Sequence, residues 1–317
     1  MANSAKQKST PSKIEKNPKA EGDIFEFWEQ QAEKHGHSDK ATNPDQYYRK
    51  LEIASILRVM AQMPHETILD VGCGNGFTTD HMGNEFPEAD VVGVDFSPKM
   101  IAQAKDIGGG PNIAFFEGDV LSLSRNRYLV PGHYDVVIST RCLINLANWQ
   151  EQKIAILEMR KMLKPDGRLI LVENFKEGLA NLNSVRATVG LSPIGERWHN
   201  FYIPQMEFLR FISQSKGTFI QEYAENIGNF YYLASRVLYA KQCMDQGIEP
   251  DYNNPINQIA CNLPTLGEYY ACSPNFLIVL ASIRQRKQSI RRASNSVSPG
   301  SNSWSGRSIS PSCMPPT

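Results

Sequence analysis

The sequence predicts an α/β domain built on a mostly parallel, doubly wound sheet, and three observations carry that reading. Residues 68–79 are an apolar run closing on Asp70, then a Gly72-x-Gly74-x-Gly76 loop containing Asn75, then the opening of a helix near Phe77. A second apolar run, Val91-Val92-Gly93-Val94, ends in Asp95, nineteen residues after Gly76. Further short apolar runs alternate with helical patterns down the chain, as β–α–β units require.

In chain order, residues 1–21 are rich in Lys, Ser, Asn and Pro and are expected to be a disordered tail. Residues 24–32 form a helix with Phe25, Phe27 and Trp28, and residues 45–53 lead into a second helix through Ile56, Leu57, Val59 and Met60 that ends before Pro64. After the strand–loop–helix of residues 68–79 and the strand ending at Asp95, Ser97 is placed as N-cap and Pro98 as the first residue of a helix through Met100, Ile101 and Ala104. Residues 113–120 read as a third strand and residues 134–139 as a fourth. Lys164-Pro165-Asp166-Gly167 reads as a turn into a fifth strand at 168–173. Residues 205–213 look helical, whereas 218–223, 231–239 and 276–281 have strand-like apolar character.

The stretch 241–273, with Pro250, Pro255 and Pro264, is too long to be an idle connection. It would close over a ligand or form a dimer contact. From Arg284 the chain holds Arg284, Arg286, Lys287, Arg291, Arg292 and Arg307 with no acid, and runs into a Ser/Pro/Gly/Asn tract. Residues 285–317 are expected to be a disordered basic tail. Arg291-Arg292-Ala293-Ser294 is open to reading as a basophilic kinase site or as plain solvated chain.

Composition excludes several classes. Lys+Arg and Asp+Glu number 33 each, so the 317-residue chain has no net pull towards nucleic acid or an anionic membrane. No apolar run reaches the roughly 18 residues of a membrane span, and residues 1–21 lack the apolar core of a secretory signal. The six cysteines are scattered without a Cys-x-x-Cys pair, against a zinc ribbon, an iron–sulfur cluster or a disulfide framework. Reduced thiols in the cytoplasm are the expectation.

The glycine loop permits positive φ and lets backbone approach a ligand with no Cβ in the way. That suits a nucleoside-type cofactor across the carboxyl ends of parallel strands. The spacing is not the Gly-x-Gly-x-x-Gly of dinucleotide sites. Asp70 would repel a pyrophosphate but suits ammonium and sulfonium charges. Here the chain resembles the class I S-adenosylmethionine (SAM) dependent methyltransferases, over roughly residues 47–284. The resemblance implies a Rossmann-like seven-stranded sheet with an antiparallel last strand, in a domain of residues 22–284. It also implies N-terminal lid helices and inserts after strand five and between strands six and seven. The cofactor would be SAM, leaving as S-adenosylhomocysteine (SAH), and no metal is expected. Asp70, Gly72, Gly74 and Gly76 would form its loop. Asp95 would accept from the ribose hydroxyls, Asp119 would meet the adenine amino group, and the Val120 amide a ring nitrogen. Arg49 would grip the methionine carboxylate, unless it is an ordinary salt bridge.

Methyl transfer from a sulfonium is an in-line displacement helped mainly by alignment, and it needs a base only where the acceptor arrives protonated. His199, between Trp198 and Tyr202, is the candidate base or else a structural histidine. Arg141, Asn145 and Tyr202 are candidates for binding the acceptor, with loop-pinning the alternative for the first two. No Asp/Asn-Pro-Pro-Tyr follows the fourth strand and no Pro-Cys nucleophile is present, so Cys142 reads as a packing residue. The segments Arg141-Cys142-Leu143-Ile144-Asn145-Leu146, Trp198-His199-Asn200 and Ser235-Arg236-Val237 are similar to a bacterial group of small-molecule and saccharide methyltransferases. The resulting expectation is methylation of a hydroxyl or amino group on a small molecule or saccharide. RNA or protein methylation and a non-catalytic SAM-binding scaffold are the alternatives; a homodimer is open, and no nucleic-acid partner or membrane span is expected.

Overall fold

β1 (Thr67–Val71) is buried at all five residues, as befits a parallel strand covered on both faces. It is the hub of a sheet completed by β2 (Asp90–Asp95), β3 (Ile113–Glu117), β4 (Tyr134–Thr140), β5 (Leu163–Asn174), β6 (Phe219–Asn226) and β7 (Asn275–Ser282). The spatial order of the seven strands is β3-β2-β1-β4-β5-β7-β6, and β7 alone runs antiparallel to its neighbours. The protein is seen here as a computed structural model that describes residues 21–106, 109–215, 218–263 and 272–282. The expected tails fall in 1–20 and 283–317, outside the described residues. Glu21, placed in the first tail, instead opens a helix.

Period-two alternation sorts the strand residues onto two faces. Leu69, Val71, Val137, Leu169, Leu171 and Leu280 face α5 (Trp149–Met162) and α7 (Gln205–Gln214), meeting Ile156, Met159 and Phe208. Ile68, Val136, Ile138, Ile170 and Val172 face the other side, against Ile56 and Met60 of α2 (Gln46–Met60) and Met82 of α3 (Phe77–Glu85). Burying each such side chain contributes roughly 1.5–3 kcal/mol. Because β2 and β4 flank β1 on opposite sides, their crossovers diverge and leave a crevice over the carboxyl end of β1.

The caps follow the sequence. Asp45 accepts from the Tyr48 amide at the start of α2, and Ser97 accepts from the Met100 amide at the start of α4 (Pro98–Asp106). α1 (Glu21–His35) lies against α4.

Three expectations are corrected. Residues 231–239 are helical: α8 (Asn229–Tyr232) runs into a π-helical stretch, Leu233–Tyr239, and on into α9 (Ala240–Gln246). Its aromatic and apolar residues pack on α2, with Tyr231 and Ala234 in the same cluster as Ile56 and Met60. β5 starts at Leu163 rather than at Arg168 because Lys164-Pro165-Asp166-Gly167 is a bulge within the strand. The pairing jumps from Tyr134↔Leu163 to Val136↔Arg168, with Asp166 at φ 65°. The third strand stops at Glu117, and Asp119 caps a 3₁₀ turn, Val120–Arg125, through the Leu121 amide.

Candidate functional site

A cavity of about 720 Å³ opens over the carboxyl ends of β1, β2, β4 and β5, within the roughly 300–1,000 Å³ of small-molecule sites. Its two halves differ in construction. One is made by the strand ends and their loops. Asp70, buried one residue before the end of β1, accepts from Thr79 Oγ1 at 2.7 Å. Asp95, at the end of β2, accepts from the Gly74 amide with Oδ2 and from the Ser97 amide with Oδ1, both at 2.9 Å. Burial pushes both carboxyls up to about 6, against the opposing pull of those hydrogen bonds. A carboxylate offers about four lone-pair sites, so Asp95 keeps acceptor capacity for a ligand.

The loop between them needs its glycines for distinct reasons. A methyl group on Gly72, at φ 73°, would sit 2.5 Å from Cys142 Cβ, so the β1 and β4 loops touch only because Gly72 has no side chain. Gly72 and Gly74 line the cavity. Gly76 lies behind it as the left-handed N-cap of α3, with Phe115 and Ala104 where a Cβ would go. Asn75 donates to Gly36 O and Ser38 O, both at 2.9 Å, tying the α1–α2 connection across the loop. Gly118, Asp119 and Val120 complete this half.

The other half is assembled from segments far apart in sequence. Glu52, fully buried in α2, accepts from Arg49 Nη1 at 2.9 Å, from Arg141 Nη1 at 2.9 Å and from Asn275 Nδ2 at 3.0 Å. Arg49 also donates to Thr78 Oγ1 at 2.6 Å, and its guanidinium is held below its usual value by burial and by Arg141. Arg141 sits at φ 54°, a left-handed conformation that costs a non-glycine residue about 1–3 kcal/mol. Glu52 and Asn145, whose side-chain Nδ2 donates to Arg141 O at 2.8 Å, hold it there. Glu173 pins the same loop from below: its Oε1 accepts from Ser139 Oγ and the amides of Cys142 and Leu143, while burial pushes its carboxyl up to about 7.

A second buried acid, Asp45, accepts from Tyr231 OH and Arg236 Nη2, each at 2.6 Å. The Arg236 guanidinium lies over the Tyr252 ring at 4.0 Å, so the stretch following α9 contributes to the cavity wall. Tyr202 and Asn174 line the wall at the end of β5. His199 lines it from an aromatic box: its ring stacks on Phe27 at 4.3 Å, with Trp28 and Trp198 edge-on. The structure thus gathers Arg49, Asp70, Gly72, Gly74, Asp95, Asp119, Val120, Arg141, Asn145, His199 and Tyr202 around one cavity. Glu52, Asp45, Arg236 and Tyr252 were not singled out as site residues from sequence. A signal for Glu52 existed: an acid three residues after Arg49, on the helix face otherwise filled by Ile53, Ile56 and Met60. Among the described residues no group of three or more His, Cys, Asp and Glu could hold a metal ion. None of the helices described is long and apolar enough to cross a membrane.

Comparison with known proteins agrees with this geometry. Residues 68–167 match the methyltransferase domain family. A malonyl-[acyl-carrier protein] O-methyltransferase of Halalkalibacterium halodurans is 29% identical over 125 residues, 39% of this chain and 44% of that protein. A trans-aconitate 2-methyltransferase of Deinococcus radiodurans is 32% identical over 106 residues, 32% of this chain and 38% of that protein. The chain therefore spans less than half the length of these curated relatives. A SAM-dependent methyltransferase structure from Anabaena variabilis superposes with a TM-score of 0.54 at 13% identity, covering 87% of this chain and all of the other, a likeness of fold. With the domain match over the glycine loop and the strand order 3-2-1-4-5-7-6 around it, residues 68–167 carry a methyltransferase domain and the sheet has the fold of the class I SAM-dependent methyltransferases.

Proposed function

We propose that this protein transfers the methyl group of SAM to a small-molecule acceptor held in the second half of the cavity. The observation that carries the reading is the pairing of Asp70 and Asp95 around a loop whose glycines a side chain could not replace. Two buried carboxylates suit a ligand bearing ammonium and sulfonium charges, and they would repel a pyrophosphate. SAM, when bound, supplies a methyl group on a sulfonium, activated towards nucleophiles. Asp95 accepts from ribose hydroxyls with the lone pairs its amides leave over. Asp119 and the Val120 amide take the adenine edge. Arg49, whose Nε has no hydrogen-bond partner among the described residues, receives the methionine carboxylate. Arg141, Asn145 and Tyr202 orient the acceptor, and the aromatic box closes that side against water. His199 accepts the proton of a hydroxyl or ammonium acceptor. The relatives' names, with malonyl-[acyl-carrier protein] and trans-aconitate as acceptors, support small-molecule methylation as the class.

The test is calorimetric titration with SAH followed by turnover. The purified protein should bind SAH, and incubation with SAM and a small-metabolite extract should release SAH and leave a labelled methyl group on one acceptor. Absence of SAH binding would overturn the cofactor assignment. SAH binding with no acceptor in metabolite, RNA or protein fractions would leave a scaffold. With the acceptor in hand, His199→Phe keeps the stack on Phe27 and removes the ring nitrogens. It should lower kcat by about 100-fold or more at unchanged SAH affinity; unchanged turnover would assign the ring to packing.

A further inference from the structure

The two halves of the cavity differ in charge make-up, one lined by acids and the other by arginines, of which Arg141 and Arg236 are each near an acid. Asp70, Asp95 and Asp119 line one, and Arg141, Arg197 and Arg236 line the other together with the acids Asp45 and Glu151. Arg49 stands nearer the first, between Thr78 and Glu52. Counter-charge on the basic side is scarce. Glu52 serves Arg49 and Arg141 together, and Asp45 serves Arg236. The remaining lining acid, Glu151, accepts from the Ala147 amide and Asn148 Nδ2 at its own helix start. Three arginines thus share two carboxylates, and the fourth, Arg197, exposed at the rim, holds no salt bridge among the described residues.

Arg236 is placed with particular care. It sits on the π-helical stretch Leu233–Tyr239, and such wide turns recur at functional sites because they redirect side chains without ending the helix. Its side chain is 13% exposed. Nη2 is fixed on Asp45 at 2.6 Å and the plane rests between the rings of Tyr232 and Tyr252. Nη1 has no hydrogen-bond partner among the described residues. Leaving a charged donor buried without a partner costs about 1–3 kcal/mol or more, which a ligand oxyanion would offset.

We infer that the acceptor carries an oxyanion, a carboxylate or a phosphate monoester, bound by Arg236 with Arg197 at the rim. This rests on the reading of the acidic half as the SAM side. There the cofactor's positive charge is met by Asp70 and Asp95, and an anionic acceptor gives the basic half the same complementarity. Planar guanidinium groups match both oxyanions through paired N–H donors. Charge selection would then come from the far wall of the cavity.

The experiment uses protein already loaded with SAH, so that Arg49 is occupied, at constant ionic strength. Matched probes are titrated by ligand-observed NMR: phenylacetate against phenylacetamide, and phenyl phosphate against its neutral dimethyl ester. The expected result is at least tenfold tighter binding of an anion than of its neutral partner. Preference for phenylacetate alone assigns a carboxylate, for phenyl phosphate alone a phosphate, and for both the shared chemistry. Arg236→Gln should abolish the preference with SAH binding retained. Asp45→Asn/Arg236→Gln removes the pair together and guards against an unfolded single variant, and Arg197→Gln should weaken the preference severalfold. Equal binding of charged and neutral probes overturns the inference. So does failure of every probe at millimolar concentration, or a preference that survives Arg236→Gln and the double variant. Failure to bind SAH in the prior titration would instead overturn the cofactor assignment, and this inference with it.

Discussion

The two halves of one cavity were built by different rules. The acidic half is local: Asp70, Gly72 and Gly74 lie within five residues, and Asp95 reaches the same loop through the Gly74 amide. Its geometry follows from strand ends, a tight turn and helix starts. The basic half is tertiary: Glu52 joins Arg49 and Arg141 to Asn275, and Asp45 joins α2 to Arg236, 191 residues away. One half is therefore a property of a motif and the other of the finished fold, and the two should break differently.

The sharpest break is at Glu52. Glu52→Gln removes the charge shared by the buried Arg49 and the partly buried Arg141, and losing one member of a buried ion pair costs about 3–5 kcal/mol. Chemical denaturation should show a loss of that size. A loss below about 1 kcal/mol would mean that Arg49 and Arg141 are paired elsewhere in solution, and the tertiary account of the basic half would fall.

Asp95→Ala probes the other half. Two hydrogen bonds to a charged group contribute about 1.5–3 kcal/mol each, so SAH affinity should fall by about 100-fold or more. Calorimetry checks this, and retained affinity would end the ribose assignment. The comparison predicts that the charge preference of the basic half survives in any Asp95→Ala protein that can still be saturated with SAH.

That asymmetry also explains what could be read from the chain. Asp70, the glycines, Asp95 and the Ser97 cap are contiguous patterns, so strand, loop and cap were legible together. Residues 231–239 were not. Tyr231, Tyr232, Val237 and Tyr239 have the composition of a strand, and an i→i+5 turn blurs the 3.6-residue period by which a helix is recognised. The misreading hid Arg236 as a wall residue. Glu52 was half legible, with Arg49 three residues before it, but its other partners, Arg141 and Asn275, lie 89 and 223 residues away. Arg49 announces one cation for that acid, but nothing adjacent announces the second, Arg141.

A smaller effect follows from burial. Asp70 and Asp95 stand at about 6 rather than near 4, so the folded, empty site favours their protonated forms. Their contribution to stability is fully present below the ordinary carboxylate value and is lost as pH rises through about 6. Ligand binding runs the other way, because the ribose hydroxyls and the ammonium group of SAH call for ionised carboxylates. SAH affinity should be flat above neutral pH and, below about 6, fall about tenfold per pH unit for each of the two carboxylates that must be ionised. A flat profile down to pH 5 would show that neither carboxylate needs its charge to bind.

The gentlest perturbation tests how the halves are joined. Ser97 Oγ caps α4 through the Met100 amide at 3.0 Å and donates to Glu29 of α1 at 2.5 Å. α1 in turn carries Trp28 and Phe27, which form part of the His199 box. One hydroxyl thus ties the residue beyond Asp95 to the lid over the acceptor side. Ser97→Ala should cost about 1 kcal/mol of stability, as loss of an N-cap does. SAH affinity should weaken by less than tenfold, because Asp95 keeps the Gly74 amide and the backbone amide of residue 97. If the lid depends on this link, proteolysis within α1 should accelerate by more than the stability loss accounts for. Equal changes in both would mean that α1 is held by its other contacts, the Lys99 bonds to Glu29 and Glu33 and Trp28 against Met100 among them, and that the two halves meet without a dedicated hinge.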